Sequence, residues 1–202
     1  RPEFFLQDIP TSGFMSLDRP EIYYGEGQTD FVVVNTNEQE FHRPPGEGLA
    51  ETLPVYTTYE GGGGVVLNSF LRRVAYTWQM TDFNVLISSR ITKKSQIQYR
   101  RTLQDRVQVV APFLRLDEDP YLVVDDGRLF WIQDAYTVTD RFPYSTPFND
   151  EFNYIRNSVK ITVDAFNGTV RFYIVDPTDP LVQTYEKIFP NLFLPIDELP
   201  PT

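Results

Sequence analysis

Tyr121-Leu122-Val123-Val124-Asp125-Asp126-Gly127-Arg128-Leu129-Phe130-Trp131-Ile132 decides the fold class of this 202-residue chain. Two runs of β-branched and aromatic residues flank an Asp-Gly pair, the turn chemistry of a tight hairpin whose central residues need positive φ. Ala135 to Thr139 extends the second strand. Further on, Asn157 to Phe166 and Thr169 to Val175 flank Asn167-Gly168, which predicts a second hairpin of the same kind. Asp179-Pro180 then opens a helix from Pro180 to Phe189, with Asp as N-cap and Pro at the first helical position.

Upstream of these hairpins the period changes. Asn68 or Ser69 can cap a helix in which Leu71, Val74, Ala75 and Trp78 follow at three- and four-residue spacing. A break near Thr81-Asp82 precedes a second short helical segment from Phe83 to Ser89. A third helix is predicted from about Lys94 to Val110, with Leu103, Val107, Val110, Ala111 and Leu114 on one face and Pro112 as its stop. Before that, Phe31-Val32-Val33-Val34 predicts a strand from about Asp30 to Thr36. The segment from Glu40 to Glu60, with Pro44-Pro45-Gly46, Gly48 and Pro54, reads as a surface loop, and Gly61 to Gly64 as a flexible hinge. Turns fall at Pro10 and Ser12-Gly13.

Helices followed by hairpins predict an α+β domain, a helical layer packed on an antiparallel sheet built from hairpins. Residues 1–64 form an irregular lead-in with a strand, 65–114 the helical layer, 115–176 the hairpin sheet and 177–202 a C-terminal helix and tail. The short connection from Arg115 to Pro120 favours one core for all of it. No repeat or low-complexity tract stands out beyond the four glycines.

Composition removes several function classes. The net charge of −10 argues against a general nucleic-acid binder. One His and no Cys exclude the common zinc sites and cysteine nucleophiles. No apolar run approaches the roughly 20 residues of a membrane span. The charge is segregated, however. Arg72, Arg73, Arg90, Lys93, Lys94, Arg100, Arg101 and Arg106 face only Asp82 and Asp105 in their segment, a net of +6 that leaves −16 on the rest. Two explanations stand: a basic helical layer packed against an acidic sheet edge with the remaining charges solvated, or an anion-facing surface for lipid head groups or a partner's acidic patch. The second makes Arg72, Arg73, Lys93, Lys94, Arg100 and Arg101 the candidate binding residues.

Other candidates carry less chemistry. The tetraglycine could present backbone amides to a phosphate, yet no Gly-Lys-Ser/Thr and no Rossmann spacing accompanies it. Asp117-Glu118-Asp119 and Asp125-Asp126 offer oxygen ligands for calcium, but they lack the EF-hand spacing and a strand separates the two groups; turns and caps are the better explanation. With Asp134 they are also candidates for a paired-carboxylate hydrolase. His42 lies in a loop, and no Gly-x-Ser-x-Gly elbow exists for it to serve. Phe4-Phe5, Tyr23-Tyr24 and Phe130-Trp131 read as core or interface anchors. Asn167-Gly168-Thr169 matches a glycosylation acceptor but lies in a turn. No cofactor and no metal are expected.

Longer strings are more specific. They are Arg19-Pro20-Glu21-Ile22-Tyr23-Tyr24-Gly25-Glu26, Ala111-Pro112-Phe113-Leu114, Asp119-Pro120-Tyr121 and Asp126-Gly127-Arg128-Leu129-Phe130-Trp131-Ile132-Gln133-Asp134-Ala135-Tyr136-Thr137. Pro143-Tyr144-Ser145, Asn153-Tyr154-Ile155-Arg156-Asn157-Ser158-Val159-Lys160, Val163-Asp164-Ala165-Phe166-Asn167-Gly168-Thr169-Val170 and Ile188-Phe189-Pro190-Asn191-Leu192-Phe193 continue the series. In this order, from about Arg19 to Phe193, the chain resembles the large bacterial membrane proteins grouped as uncharacterised protein family (UPF) 0182. More faintly, the hairpin from Lys160 to Val175 is similar to strands of PepSY-type domains.

The resemblance implies a parent with a bundle of transmembrane helices and a large domain outside the cytoplasm, of which this chain is a middle section. Both ends then read as cuts through a longer polypeptide. It implies no catalytic residue. The expected function is a non-catalytic extracytoplasmic binding or assembly module. Its partners would be the remainder of the parent, another envelope protein or anionic lipid head groups, and not nucleic acid. The alternative is a cell-envelope hydrolase using carboxylates among Asp117, Asp119, Asp125, Asp126 and Asp134.

Overall fold

The computed structural model describes residues 6–7, 12–13, 17–28, 30–43, 55–148 and 151–199. In chain order these form β1 (Leu6–Gln7), β2 (Ser12–Gly13), β3 (Val32–Val34), β4 (Glu40–Arg43), β5 (Val55–Thr57) and β6 (Val65–Val66). Then come α1 (Phe70–Met80), α2 (Asn84–Ile87), β7 (Gln96–Gln98), α3 (Leu103–Val110) and β8 (Arg115–Leu116). The rest is β9 (Tyr121–Asp125), β10 (Arg128–Thr139), β11 (Tyr154–Asp164), β12 (Val170–Ile174), α4 (Pro180–Ile188), β13 (Phe193–Pro195) and a 3-10 turn at Ile196–Glu198.

The α+β class holds. The main sheet has the order β13-β12-β11-β10-β8, with β9 also on β10. Its first hairpin follows from local chemistry: Asp126 and Gly127 take φ values of 45° and 70°, so β9 and β10 pair from Asp125↔Arg128 onward. The second is built differently from expectation. Asp164 Oδ1 accepts bonds from the backbone N–H groups of Phe166 and Asn167, both at 2.9 Å. That local cap turns the chain early, so the ladder ends at Val163↔Val170 and Asn167-Gly168 closes a longer loop rather than a two-residue turn. The sheet is also not wholly antiparallel: α4 carries the chain across so that β13 lies parallel to β12.

α3 and α4 cover one face of this sheet. Leu103, Val107, Ala111 and Leu114 from α3 and its exit meet Val159, Ile161, Val163 and Phe172 from the strands and Val182 from α4. Val110, expected on that buried face, is instead half exposed. Between Ala135 and Tyr136 the register on β11 shifts past Ser158, a bulge that places Ser158 and Val159 both in the interior.

The helical layer is not continuous. Lys94 to Gln98, expected as helix, contains β7, the central strand of a small sheet β3-β7-β6. Ile97 is fully buried there with Leu67 and Val85, and Tyr76 and Met80 of α1 pack on them. A third, aromatic cluster joins Tyr59, Phe166 and Val34, with Tyr23 edge-on to Tyr59 at 4.7 Å between ring centres. Most of the buried apolar residues among those described fall in these three clusters.

In the lead-in, Glu40 to Glu60 holds a pair of antiparallel strands, β4 and β5, where a loop was expected. The backbone of His42 lies in β4. Ser12-Gly13 is part of the β1–β2 pair instead of a turn. Phe4-Phe5, Pro10, Pro44-Pro45-Gly46, Gly48, Pro54 and the last three residues lie outside the described residues.

Candidate functional site

The six basic residues singled out from the sequence divide into two kinds. Ser69 caps α1 by accepting from the Arg72 N–H at 3.3 Å, and the Arg72 side chain folds back to bond the Val66 carbonyl at 3.0 Å while staying exposed. Arg73, half-buried, donates to the Ile91 carbonyl. Lys93 and Lys94 stand exposed on a turn held by Thr92 and Ser95. Arg101 is a staple: its guanidinium donates to the Tyr23 carbonyl at 2.7 Å, the Asp30 carbonyl at 3.2 Å and Gln28 Oε1 at 2.7 Å. Burial pushes the pKa of Arg101 down. Arg100 is exposed beside it.

Arg101 and Arg73 are therefore anchors inside the fold, and Arg72, Lys93, Lys94 and Arg100 remain as outward cations on three separate elements. Of the eight basic residues in the segment, only Arg90 has an ion pair among the described residues, with Glu38 at 3.6 Å. None of the ion pairs among the described residues joins these cations to the acids after Leu116, and the four outward cations are solvated.

The five carboxylates do not gather at one point: Asp117 lies beside Asp134, and the turn acids lie far from both. Asp125 and Asp126 close the β9–β10 turn, where Asp125 stands opposite Arg128. Asp134 lies six residues farther along β10, about 20 Å away at ~3.3 Å per residue. It is ion-paired with Lys160 at 2.9 Å. The Asp117 N–H bonds the Asp134 carbonyl at 2.9 Å, and Asp119 is exposed two residues on. Carboxyl pairs in glycosidases stand roughly 5–9.5 Å apart, so the turn acids and Asp134 cannot share one bond. Among the described residues no three His, Cys, Asp or Glu side chains gather where they could hold a metal ion.

The tetraglycine is docked rather than loose. The Gly62 N–H donates to Asn167 Oδ1 at 3.0 Å and the Gly63 N–H to the Tyr59 hydroxyl at 2.8 Å. A Cβ on Gly63 would lie 2.5 Å from the Asn167 carbonyl oxygen. These glycines let the chain pass against the β11–β12 loop, and two of the amides a phosphate would need are already bonded.

What sequence reasoning missed is an apolar surface. At 100° per residue, Phe70, Leu71, Val74 and Trp78 fall within an arc of about 100° on α1. This stripe faces solvent: Leu71 is 79% and Trp78 88% exposed, while Tyr76, Thr77 and Met80 turn inward. Phe83, at the N-cap of the adjoining α2, and Ile87 within it are also largely exposed. The spacing was visible in the sequence, but periodicity reveals a face and not which way it looks.

No helix among the described residues is long and apolar enough to cross a membrane. No solved structure matches the chain. Among curated proteins it is 50% identical over 201 residues to a UPF0182 protein of Pelotomaculum thermopropionicum, covering 98% of this chain and 21% of that one. A UPF0182 protein of Desulforamulus reducens is 46% identical over 203 residues, again 98% and 21%. One from Methanospirillum hungatei is 46% identical over 208 residues, covering 98% and 22%. The chain thus spans about a fifth of the length of these relatives. The model of the family described as Uncharacterised protein family (UPF0182) matches residues 1–202, and the chain belongs to that family.

Proposed function

We propose that the chain is a non-catalytic assembly module of a larger membrane protein, positioned outside the cytoplasm, whose α1–α2 face docks on another segment of the same polypeptide. The observation that carries this reading is the solvent-facing stripe of Phe70, Leu71, Val74 and Trp78, continued by Phe83 and Ile87. Aromatic and aliphatic side chains of this size are typical interface anchors, and their burial is worth roughly 1.5–3 kcal/mol each. About four-fifths of the relatives' length lies beyond the segment that matches this chain, so a covering partner within the same polypeptide is at hand. The membrane location rests on the family resemblance. The distance of Asp125 and Asp126 from Asp134, and the pairing of Asp134 with Lys160, support a non-catalytic role.

Hydroxyl-radical footprinting tests the docking. Leu71, Trp78 and Phe83 should be oxidised readily in the isolated chain and protected in the full-length protein. Equal oxidation in both overturns the assembly reading. For location, Lys94→Cys in a full-length background without other accessible thiols should react with a membrane-impermeant maleimide on intact cells. Labelling only after lysis overturns the extracytoplasmic placement.

A further inference from the structure

A cleft of about 520 Å³ lies between α3 and the edge of the main sheet, within the roughly 300–1,000 Å³ of small-molecule sites. Val65, Val109, Val110, Val170, Phe172 and Leu192 supply its apolar lining. Two arginines, Arg100 and Arg106, border it as well. Their situation is unusual for cations in a folded protein.

Arg106 is half-buried, its guanidinium 4.3 Å from the ring centre of Tyr24. Its Nε donates to the Gly168 carbonyl, and Nη1 to the carbonyls of Tyr99 at 3.4 Å and Arg100 at 3.3 Å. No carboxylate pairs with it among the described residues, and its Nη2 finds no acceptor there. The ionisable groups around it are the phenols of Tyr24, Tyr99 and Tyr59, and burial pushes its pKa down. A half-buried cation without a counter-charge is costly to keep, and a guanidinium's planar fork matches carboxylate and phosphate oxygens.

Arg100 adds a second unmatched charge. Its side chain makes no hydrogen bond or ion pair among the described residues. Its backbone sits at φ 50°, in the left-handed region that bulky residues avoid. Glycine would fit that backbone better, so nothing in the local fold calls for an arginine side chain at this position.

We propose that this cleft binds a small amphiphile with an anionic head, a phosphate or carboxylate held by Arg100 and Arg106, and an apolar chain laid along Val109, Val110 and Leu192. The site is separate from the α1–α2 face, so its fate does not depend on the assembly reading. Free amphiphiles and anionic bilayer lipids share this chemistry.

Calorimetric titration of the 202-residue chain with octyl phosphate tests it. Octyl phosphate should bind at least about tenfold more tightly than inorganic phosphate and than uncharged octyl glucoside, a difference that calorimetry resolves. Arg100→Gly relieves the left-handed backbone, so the melting temperature should hold or rise while octyl phosphate affinity falls by about fivefold or more. Val109→Asp, at an exposed wall position, should also weaken binding. Vesicles of phosphatidylglycerol against phosphatidylcholine separate the sources. Binding to the former that Arg100→Gly weakens assigns a bilayer lipid, and binding of octyl phosphate alone assigns a free amphiphile. No octyl phosphate binding up to millimolar concentration, equal binding of octyl glucoside, or an unaltered affinity in Arg100→Gly overturns the proposal.

Discussion

The Tyr154 hydroxyl donates to Asp179 Oδ1 across 2.8 Å, tying the start of β11 to the N-terminus of α4. The same carboxylate accepts from the Leu181 N–H at 3.0 Å and, through Oδ2, from the hydroxyls of Thr137 and Ser158. Asp179 is fully buried, yet every partner is a donor. A residue that the sequence marks as a helix cap is also the polar joint between helix and sheet. Asp179→Ala removes the cap and strands three buried or half-buried hydroxyls, which should cost about 2–4 kcal/mol. Urea denaturation reads this directly, and a loss below ~0.5 kcal/mol, as at an ordinary surface site, would contradict the joint.

That joint has a pH signature. Burial alone would raise the pKa of Asp179, but the bonds from Ser158, Thr137, Tyr154 and the Leu181 N–H outweigh it and hold the carboxyl below its ordinary value. A depressed folded pKa means the stabilisation is complete above the unfolded value, about 3.9, and disappears as pH falls through the folded one. The stability gap between the wild type and Asp179→Ala should therefore be constant near neutrality and narrow below about pH 4. A gap that does not change with pH would show that the ionised form is not favoured.

Two adjacent glycines should behave oppositely. A Cβ on Gly63 meets the Asn167 carbonyl oxygen at 2.5 Å and the Tyr59 hydroxyl at 2.7 Å, while one on Gly62 meets nothing within 4 Å. Gly63→Ala should destabilise by about 1–3 kcal/mol and Gly62→Ala by less than about 0.5 kcal/mol. If thermal melts of the two variants coincide, the tetraglycine is not packed against the β11–β12 loop.

Arg101→Lys tests a geometric point. The planar fork reaches the Tyr23 and Asp30 carbonyls and Gln28 Oε1 from three nitrogens, and a single ammonium cannot reproduce that spread. The loss should be about 1–3 kcal/mol despite the conserved charge. A lysine that restores full stability would mean that charge alone is needed there.

Trp78→Glu in the isolated 202-residue chain should change folding stability by less than about 0.5 kcal/mol, because the indole is 88% exposed. Light scattering should fall as well, since one large apolar group leaves the surface. A strong destabilisation would place Trp78 in the core and remove the docking face.

Local chemistry explains which elements could be read from the sequence. Asp126-Gly127 specifies its own turn, and Asp179-Pro180 its own helix start, whatever surrounds them. β7 could not be read this way. Gln96-Ile97-Gln98 has one apolar residue and helix-compatible neighbours, and becomes a strand because Val32–Val34 and Val65–Val66, both distant in sequence, pair with it. The direction of the α1 stripe was hidden for the same reason: the inward side of α1 is chosen by Ile97 and Val85, not by its own sequence. The cleft at Arg100 and Arg106 joins α3 to strands from the far end of the chain, so its cations stood in the sequence as part of a charge run.

The bulge at Ser158 reaches beyond its own bond to Asp179. On its C-terminal side, Val159, Ile161 and Val163 look inward at alternate positions; on its N-terminal side the inward set is Ser158 and Tyr154. The two halves of β11 thus run out of phase. Pairing β11 with β10 without the bulge could satisfy one half only by exposing the other, sliding by one residue would turn both halves over, and sliding by two would move the extra residue away from its place opposite Ala135 and Tyr136. The longest pairing among the described residues is therefore aligned from its middle rather than from the turn at either end.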